Sequence, residues 1–159
     1  MFFFGHIGIT VGAVDAVNKR FNTKVDLRKV AVLALLPDLI DKPLGLLYPN
    51  VFENHTRLFG HHALFSIFLF VLFWSLRRRI RHWIILWCAF FGHMILDRFW
   101  SYGVENFFWP LLGDPKQLNP NMTERWGHAL LEFYNLGGEI LGFIVLAVIL
   151  APKLTRRFK

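Results

Sequence analysis

The sequence predicts an all-α protein: an integral membrane helical bundle of about five transmembrane or half-spanning helices, forming one domain over residues 1–159. Three observations carry that expectation. Apolar residues make up 55% of a 159-residue chain that includes 18 phenylalanines and six tryptophans, more than the core of a soluble domain of this size encloses. The charged residues stand in short clusters between apolar runs, as at the flanks of spans, instead of lining one face of each run. No run shows the two-residue alternation of a half-buried strand.

Five apolar stretches, roughly 3–18, 28–47, 61–76, 82–100 and 127–151, have the length of membrane or half-membrane helices. The first is short and carries His6 and Asp15. With no basic n-region and no small-residue cleavage site, it reads as a retained helix and not as a signal peptide. The second, VAVLALLPDLIDKPLGLLY, contains Pro37, Pro43 and Gly45 and is expected to kink or break, its freed backbone groups buried in protein or facing water. Broken helices at membrane depth often line sites. The third and fourth are nearly continuous apolar runs. Cys88, the one cysteine, excludes an intrachain disulfide and is assigned to packing. In the fifth, Gly137 and Gly138 are expected to permit close helix approach, and Glu139, like Asp15, to make an interhelical hydrogen bond.

Orientation follows from the basic residues. Lys19, Arg20, Lys24, Arg28 and Lys29 follow the first stretch; Arg77, Arg78, Arg79 and Arg81 the third; Lys153, Arg156, Arg157 and Lys159 the fifth. The positive-inside tendency makes these ends cytoplasmic, with the N-terminus outside and the C-terminus inside. The net charge of +7 thus belongs to membrane-flanking clusters: lipid is the expected partner, and no nucleic acid is expected.

The same orientation collects the unusual residues at the outer ends of the stretches: His6, Asp38 and Asp41, His61 and His62, His93 and Asp97, His128 and Glu132. In FFGHMILDRFW, His93 and Asp97 are four apart and share a helix face; His128 and Glu132 repeat that spacing, and Asp38 and Asp41 share a face where helical geometry persists. An ionised group near the bilayer centre costs on the order of 2.5–3.5 kcal/mol, so the cluster needs compensation. Mutual hydrogen bonds satisfy some pairs, yet with Lys42, Arg57, Arg98 and Arg125 as the nearby cations an excess of negative charge remains. A divalent cation neutralises it. Imidazole nitrogen with carboxylate oxygen and no thiolate suits zinc, and also manganese or iron. For one isolated His-x-x-x-Asp a hydrogen-bonded helix contact is the better reading; the number and common depth of the pairs favour metal. His82, in the basic cluster on the opposite face, is expected to meet solvent or lipid headgroups.

Four segments also carry a resemblance. FFGHIGIT around His6, ALLPDLIDKP, LFGHHALFS and GHMILDRFWSYGVENFFWP are similar, in order, to the Gly-His, Leu-Pro-Asp-x-Asp, His-Arg-Gly-x-Thr-His-Ser and His-x-x-x-Asp elements of the YdjM-like family of membrane-bound, metal-dependent hydrolases of the inner membrane. They cover residues 5–110. Asp41 lies one residue further from Asp38 than in the family's pattern, Lys42 stands where a histidine is common, and Arg57 is displaced. The third element offers His55, His61 and His62 as alternatives. The resemblance implies a divalent-metal site built from His6, Asp38, His61, His62, His93 and Asp97. It extends more distantly to zinc-dependent phospholipase C and single-strand nucleases, whose His-x-x-x-Asp and His-x-x-x-Glu pairs His93 with Asp97 and His128 with Glu132 resemble. The ligand set suffices for one ion and up to three, zinc foremost.

A bound metal would acidify water and polarise a phosphoryl or carbonyl oxygen, and room for two ions favours phosphoesters over peptides. A carboxylate not used as a ligand, Asp41 or Glu132, is the expected general base. Arg57, Arg98 and Arg125 are candidates for holding substrate phosphate through the guanidinium fork, with snorkelling to headgroups as the plain reading of each. The loop ENFFWPLLGDPKQLNPNMTERWG is aromatic and proline-punctuated, and is expected to lie in the interface as a belt or lid. The expected function is hydrolysis of a lipid or lipid-linked phosphoester, or another small phosphoester, at the extracytoplasmic face. The alternatives are a proton or metal-ion carrier and a non-catalytic membrane adaptor. Neither a Gly-rich phosphate loop nor a Gly-x-Ser-x-Gly elbow appears, so nucleotide-driven pumps and serine hydrolases lack support.

Overall fold

The structure, a computed structural model, describes residues 3–48, 57–102, 104–112 and 132–157. His55, Arg125 and His128 lie outside the described residues, as does most of the expected lid. The described elements are α1 (Phe3–Phe21), α2 (Leu27–Leu47), α3 (Ala63–Ser75), α4 (Trp83–Leu96), α5 (Val104–Phe107) and α6 (Phe133–Arg157), with 3-10 turns at Phe59–His61 and Phe99–Tyr102. Among the described residues there is no strand, as expected.

Local chemistry explains the turns. Asn18 closes the α1–α2 connection: its Oδ1 accepts from Thr23 Oγ1 at 2.7 Å and from Val25 N at 3.0 Å, while its Nδ2 donates to Val25 O. The Asp26 carboxylate then accepts from Arg28 N at 2.9 Å and caps α2. α2 is not broken: it continues through both Pro37 and Pro43. Each proline removes one backbone donor, but Ala34, Leu35, Pro37 and Asp41 are buried against neighbouring segments, and that packing holds the helix through the lost bonds.

Along α1 and α6 the contact is backbone to backbone. A Cβ on Gly8 would overlap the Gly142 carbonyl, one on Gly142 would overlap the Phe4 carbonyl, and one on Gly12 would sit 2.6 Å from Val145 Cγ1. Gly137, expected at such an approach, faces open space, with no atom within 4 Å. Glu139 does bridge helices: its two oxygens accept from Phe4 N at 2.8 Å and Gly5 N at 2.9 Å. These are orphan donors of the first turn of α1, and a carboxylate there also meets the positive end of the helix dipole. Asp15 instead pairs within α1, 2.6 Å from Lys19 Nζ.

Val11, Val14, Val30, Leu86 and Ala89 pack α1, α2 and α4 into one core, and Ala63, Leu69, Phe90, Met94 and Phe107 form a second around α3 and α4. The outside is also apolar. Ile67, Phe68 and Val71 on α3 and Ile140, Phe143, Ile144 and Val148 on α6 are each more than half exposed, so both helices turn large apolar side chains outward. Cys88, expected to pack, is exposed as well. Phe133–Pro152 is the one described helix long and apolar enough to cross a membrane by length and composition; Ala63–Ser75 and Trp83–Leu96 are apolar but shorter.

The helix directions matter for the site. α1 runs from His6 to Arg20, α2 from Arg28 to Asp41, and α4 from Trp83 to His93. Their basic ends and their His/Asp ends therefore fall on opposite sides of the bundle.

Candidate metal centre

The site is assembled around Asp41. Its carboxylate is fully buried and accepts from Leu58 N at 2.8 Å, Gly60 N at 2.8 Å and His61 N at 3.1 Å, so the chain entering α3 is folded around one anion. Gly60 is required there, because a Cβ would lie 2.9 Å from the Cα and the carbonyl oxygen of Pro37. The fourth bond fixes a ring: His61 Nδ1 lies 2.6 Å from Asp41 Oδ2. An ionised carboxylate only accepts, so Nδ1 carries the proton and Nε2 of the neutral ring is bare.

His93, fully buried on α4, is fixed in the same way from another direction. Its Nδ1 donates to the Ala34 carbonyl at 2.7 Å, in the turn of α2 just before Pro37. Its Nε2 then lies 3.2 Å from His61 Nε2. The two Nε2 atoms face each other, each ring held from behind through its Nδ1.

Carboxylates close around that pair. Asp38 Oδ1 is 3.8 Å from both Nε2 atoms, while its Oδ2 accepts from Lys42 Nζ at 2.6 Å. Asp97, where α4 ends, places Oδ2 3.8 Å from His61 Nε2; that oxygen also accepts from Arg57 Nη2 at 2.6 Å and Nε at 3.2 Å. His6 Nε2 donates to Asp97 Oδ1 at 3.0 Å, and its ring stacks on His93. Two donor groups result, His6 with Asp38 and His93, and His61 with His93 and Asp97, which share His93.

These spacings suit a small cation. Two ligands about 2.0–2.1 Å from a tetrahedral zinc stand roughly 3.3 Å apart, close to the 3.2 Å between the imidazole nitrogens. The carboxylate oxygens at 3.8 Å need only a slight contraction. The hydrogen bonds on the far sides of His61 and His93 are those that orient metal-binding imidazoles.

Several expected site residues lie elsewhere. His62 stands at the N-cap position of α3 without a side-chain cap bond and packs its ring 5.1 Å from that of Trp109; it belongs to neither donor group. Asp41, expected as a general base, has both oxygens engaged by the Leu58–His61 segment and orients His61 instead. Glu132 is exposed and pairs at 3.4 Å with Arg98, whose guanidinium lies 4.3 Å from the Tyr134 ring centre. Arg98 and Glu132 thus tie the end of α4 to the start of α6, and Arg57 is the described arginine at the cluster. Beside it, His62, Asn106 and Phe107 line a small pocket that reaches His61 and Asp97.

Two contributors were missed from sequence. The Ala34 carbonyl, as a main-chain atom, leaves no residue signature. Gly60 does carry a signal, since a glycine directly before a histidine pair is a local sign of close backbone approach.

The described helices form an all-α bundle that exposes apolar side chains and gathers buried imidazoles and carboxylates at one end. The sequence model of the YdjM inner membrane protein family matches residues 1–157, and the chain belongs to that family. Neither a curated protein nor a solved structure matches it.

Proposed function

We propose that this family member is a membrane-embedded, metal-dependent hydrolase that cleaves a lipid or lipid-linked phosphoester at the extracytoplasmic face. The observation that carries the reading is the His61–His93 pair: two Nε2 atoms facing at 3.2 Å, each ring fixed from behind by Asp41 or Ala34. Facing lone pairs repel unless a cation lies between them. Asp38, Asp97 and His6 complete the ligand set. A divalent ion, zinc foremost, supplies Lewis acidity that polarises a phosphoryl oxygen and acidifies water.

The chain's own groups do the rest. Asp41 and Ala34 hold the two imidazoles in one tautomer. Arg57, in contact with Asp97 at the pocket, is placed to take a phosphate oxygen. Phe107, packed with its ring centre 4.4 Å from that of Phe99, and Trp109 beside His62 keep bulk water from the pocket. The basic ends of α1, α2 and α6 support an orientation with this cluster outside and the C-terminus in the cytoplasm.

A shared proton between His61 and His93 also fits 3.2 Å and would make the pair part of a proton relay. A relay needs polar groups along the whole path. α3 beyond Ser66 and α4 before Gly92 offer an apolar run, which favours hydrolysis.

The test is metal analysis of the purified full chain beside His61→Ala and His93→Ala, followed by assays of phosphomonoesters, phosphodiesters and phosphatidic acid with and without chelator. Stoichiometric metal that both substitutions remove, with chelator-sensitive hydrolysis, is the expected result. Trace metal in the unaltered chain overturns the reading.

A further inference from the structure

A second feature opens directly beside the cluster. Between α1 and α4 runs an apolar groove of about 920 Å³ including its open side, bounded by Ile9, Ala13 and Val17 on one helix and Ile84, Cys88 and Ile95 on the other. Thr10 brings the one side-chain oxygen in its lining. α1 and α4 are antiparallel here, since His6 near the start of α1 meets Asp97 at the end of α4. Ile9 therefore lies just below His6, and Leu96 immediately precedes Asp97. The upper end of the groove lies next to His6 and Asp97 of the donor cluster, and its lower end is at Val17 and Ile84.

Gly92 explains why the groove is open. A Cβ there meets no atom within 4 Å, so no neighbouring helix requires glycine at this position. Glycine inside a helix costs about 1 kcal/mol relative to alanine, and what it preserves here is empty volume. Gly8 and Gly142 differ, since backbone fills the space a side chain would take.

We propose that this groove holds the hydrocarbon chain of a bilayer lipid whose polar head reaches the His61–His93 pair. This rests on the hydrolase reading and names its substrate class: an amphiphile with an anionic phosphoester head and at least one long acyl or prenyl tail. Length selects this occupant. The distance along α4 from Ile84 to Ile95 is about 16 Å at helical rise, matching the roughly 15 Å of one leaflet in a hydrocarbon core of about 30 Å. Polarity selects it too, because the walls are apolar, while His6 and Asp97, just beyond its upper end in sequence, belong to the donor groups.

The experiment uses the full chain in phosphatidylglycerol vesicles in which part of the lipid carries a diazirine at the end of one acyl chain. After photolysis and peptide mapping, label is expected to concentrate on Ala13–Val17 and Ile84–Cys88, above the level on the outer faces of α3 and α6. Gly92→Phe fills the groove and lowers that label roughly tenfold, as displacing a methylene or two from apolar contact would, while bound zinc stays unchanged. Alkylating Cys88 with a bulky maleimide blocks the same space in the unaltered chain and is expected to act likewise. Equal label on all lipid-facing helices, or label indifferent to both blocks, overturns the proposal; so does crosslinking of Cys88 to Cys88 between two chains, which would give the groove to a second copy. A chain that binds zinc but takes no groove label defeats this proposal alone. Groove label on a chain without zinc upholds the groove and removes the hydrolase reading.

Discussion

The imidazole of His6 lies on that of His93, ring centres 3.9 Å apart and planes 21° from parallel. Through this contact, and the bond from His6 Nε2 to Asp97, α1 joins a cluster otherwise built from α2, α4 and the turn before α3. His6→Ala is expected to weaken zinc binding about 10–100-fold, the range seen when groups that orient or complete a metal site are removed. Chelator competition measures it, and unchanged affinity would detach α1 from the site.

Asp41 is expected to act through position and not through proton transfer. Asp41→Asn keeps the size but loses an acceptor for the four donors now around the carboxylate, so the His61 tautomer is no longer enforced and zinc affinity falls about 10–100-fold. Asp41→Ala leaves those buried donors unmatched and costs about 3–5 kcal/mol in stability, read from unfolding in detergent. A variant that binds zinc normally but loses hydrolysis would return Asp41 to the role of base.

The glycines separate by sign. Gly8→Ala forces a side chain into the Gly142 backbone and is expected to destabilise by about 1–3 kcal/mol. Gly137→Ala enters open space and is expected to be neutral or to stabilise by up to about 1 kcal/mol. Thermal unfolding followed by circular dichroism compares the two, and equal effects would contradict the packing described.

Arg57 and Arg98 should part in kinetics. Arg57 touches Asp97 at the pocket, so Arg57→Ala is expected to raise KM for a phosphoester roughly tenfold, the scale of one charge-assisted hydrogen bond. Arg98, stacked on Tyr134 and paired with Glu132, is expected to leave KM unchanged when replaced by Ala. The reverse pattern would place substrate on the other side of α4.

Much of this arrangement was legible in the residues. The four-residue spacing of His93 and Asp97 put both at the top of α4, the two aspartates of ALLPDLIDKP flank the His61 ring, and the charge clusters fall at the opposite helix ends. What spacing could not supply was direction. His61 and His62 look equivalent in sequence, yet a helix cap aims neighbouring side chains apart. Asp41 looked like a free carboxylate until the Leu58–His61 backbone was seen to close around it. The helix contact follows the small-residue spacing of Gly8-x-x-x-Gly12 and Gly138-x-x-x-Gly142; Gly138 is buried, while Gly137, one residue off that stripe, faces open space.

Glu139 fastens the first turn of α1 from the far end of the polypeptide. Because a ribosome delivers residues in order, the N–H groups of Phe4 and Gly5 meet their carboxylate only after α2 and α4 have been made. The histidine and aspartates of α2 and α4 are synthesised before Glu139, so the clamp on the helix that carries His6 is the last part of the cluster's frame to be made.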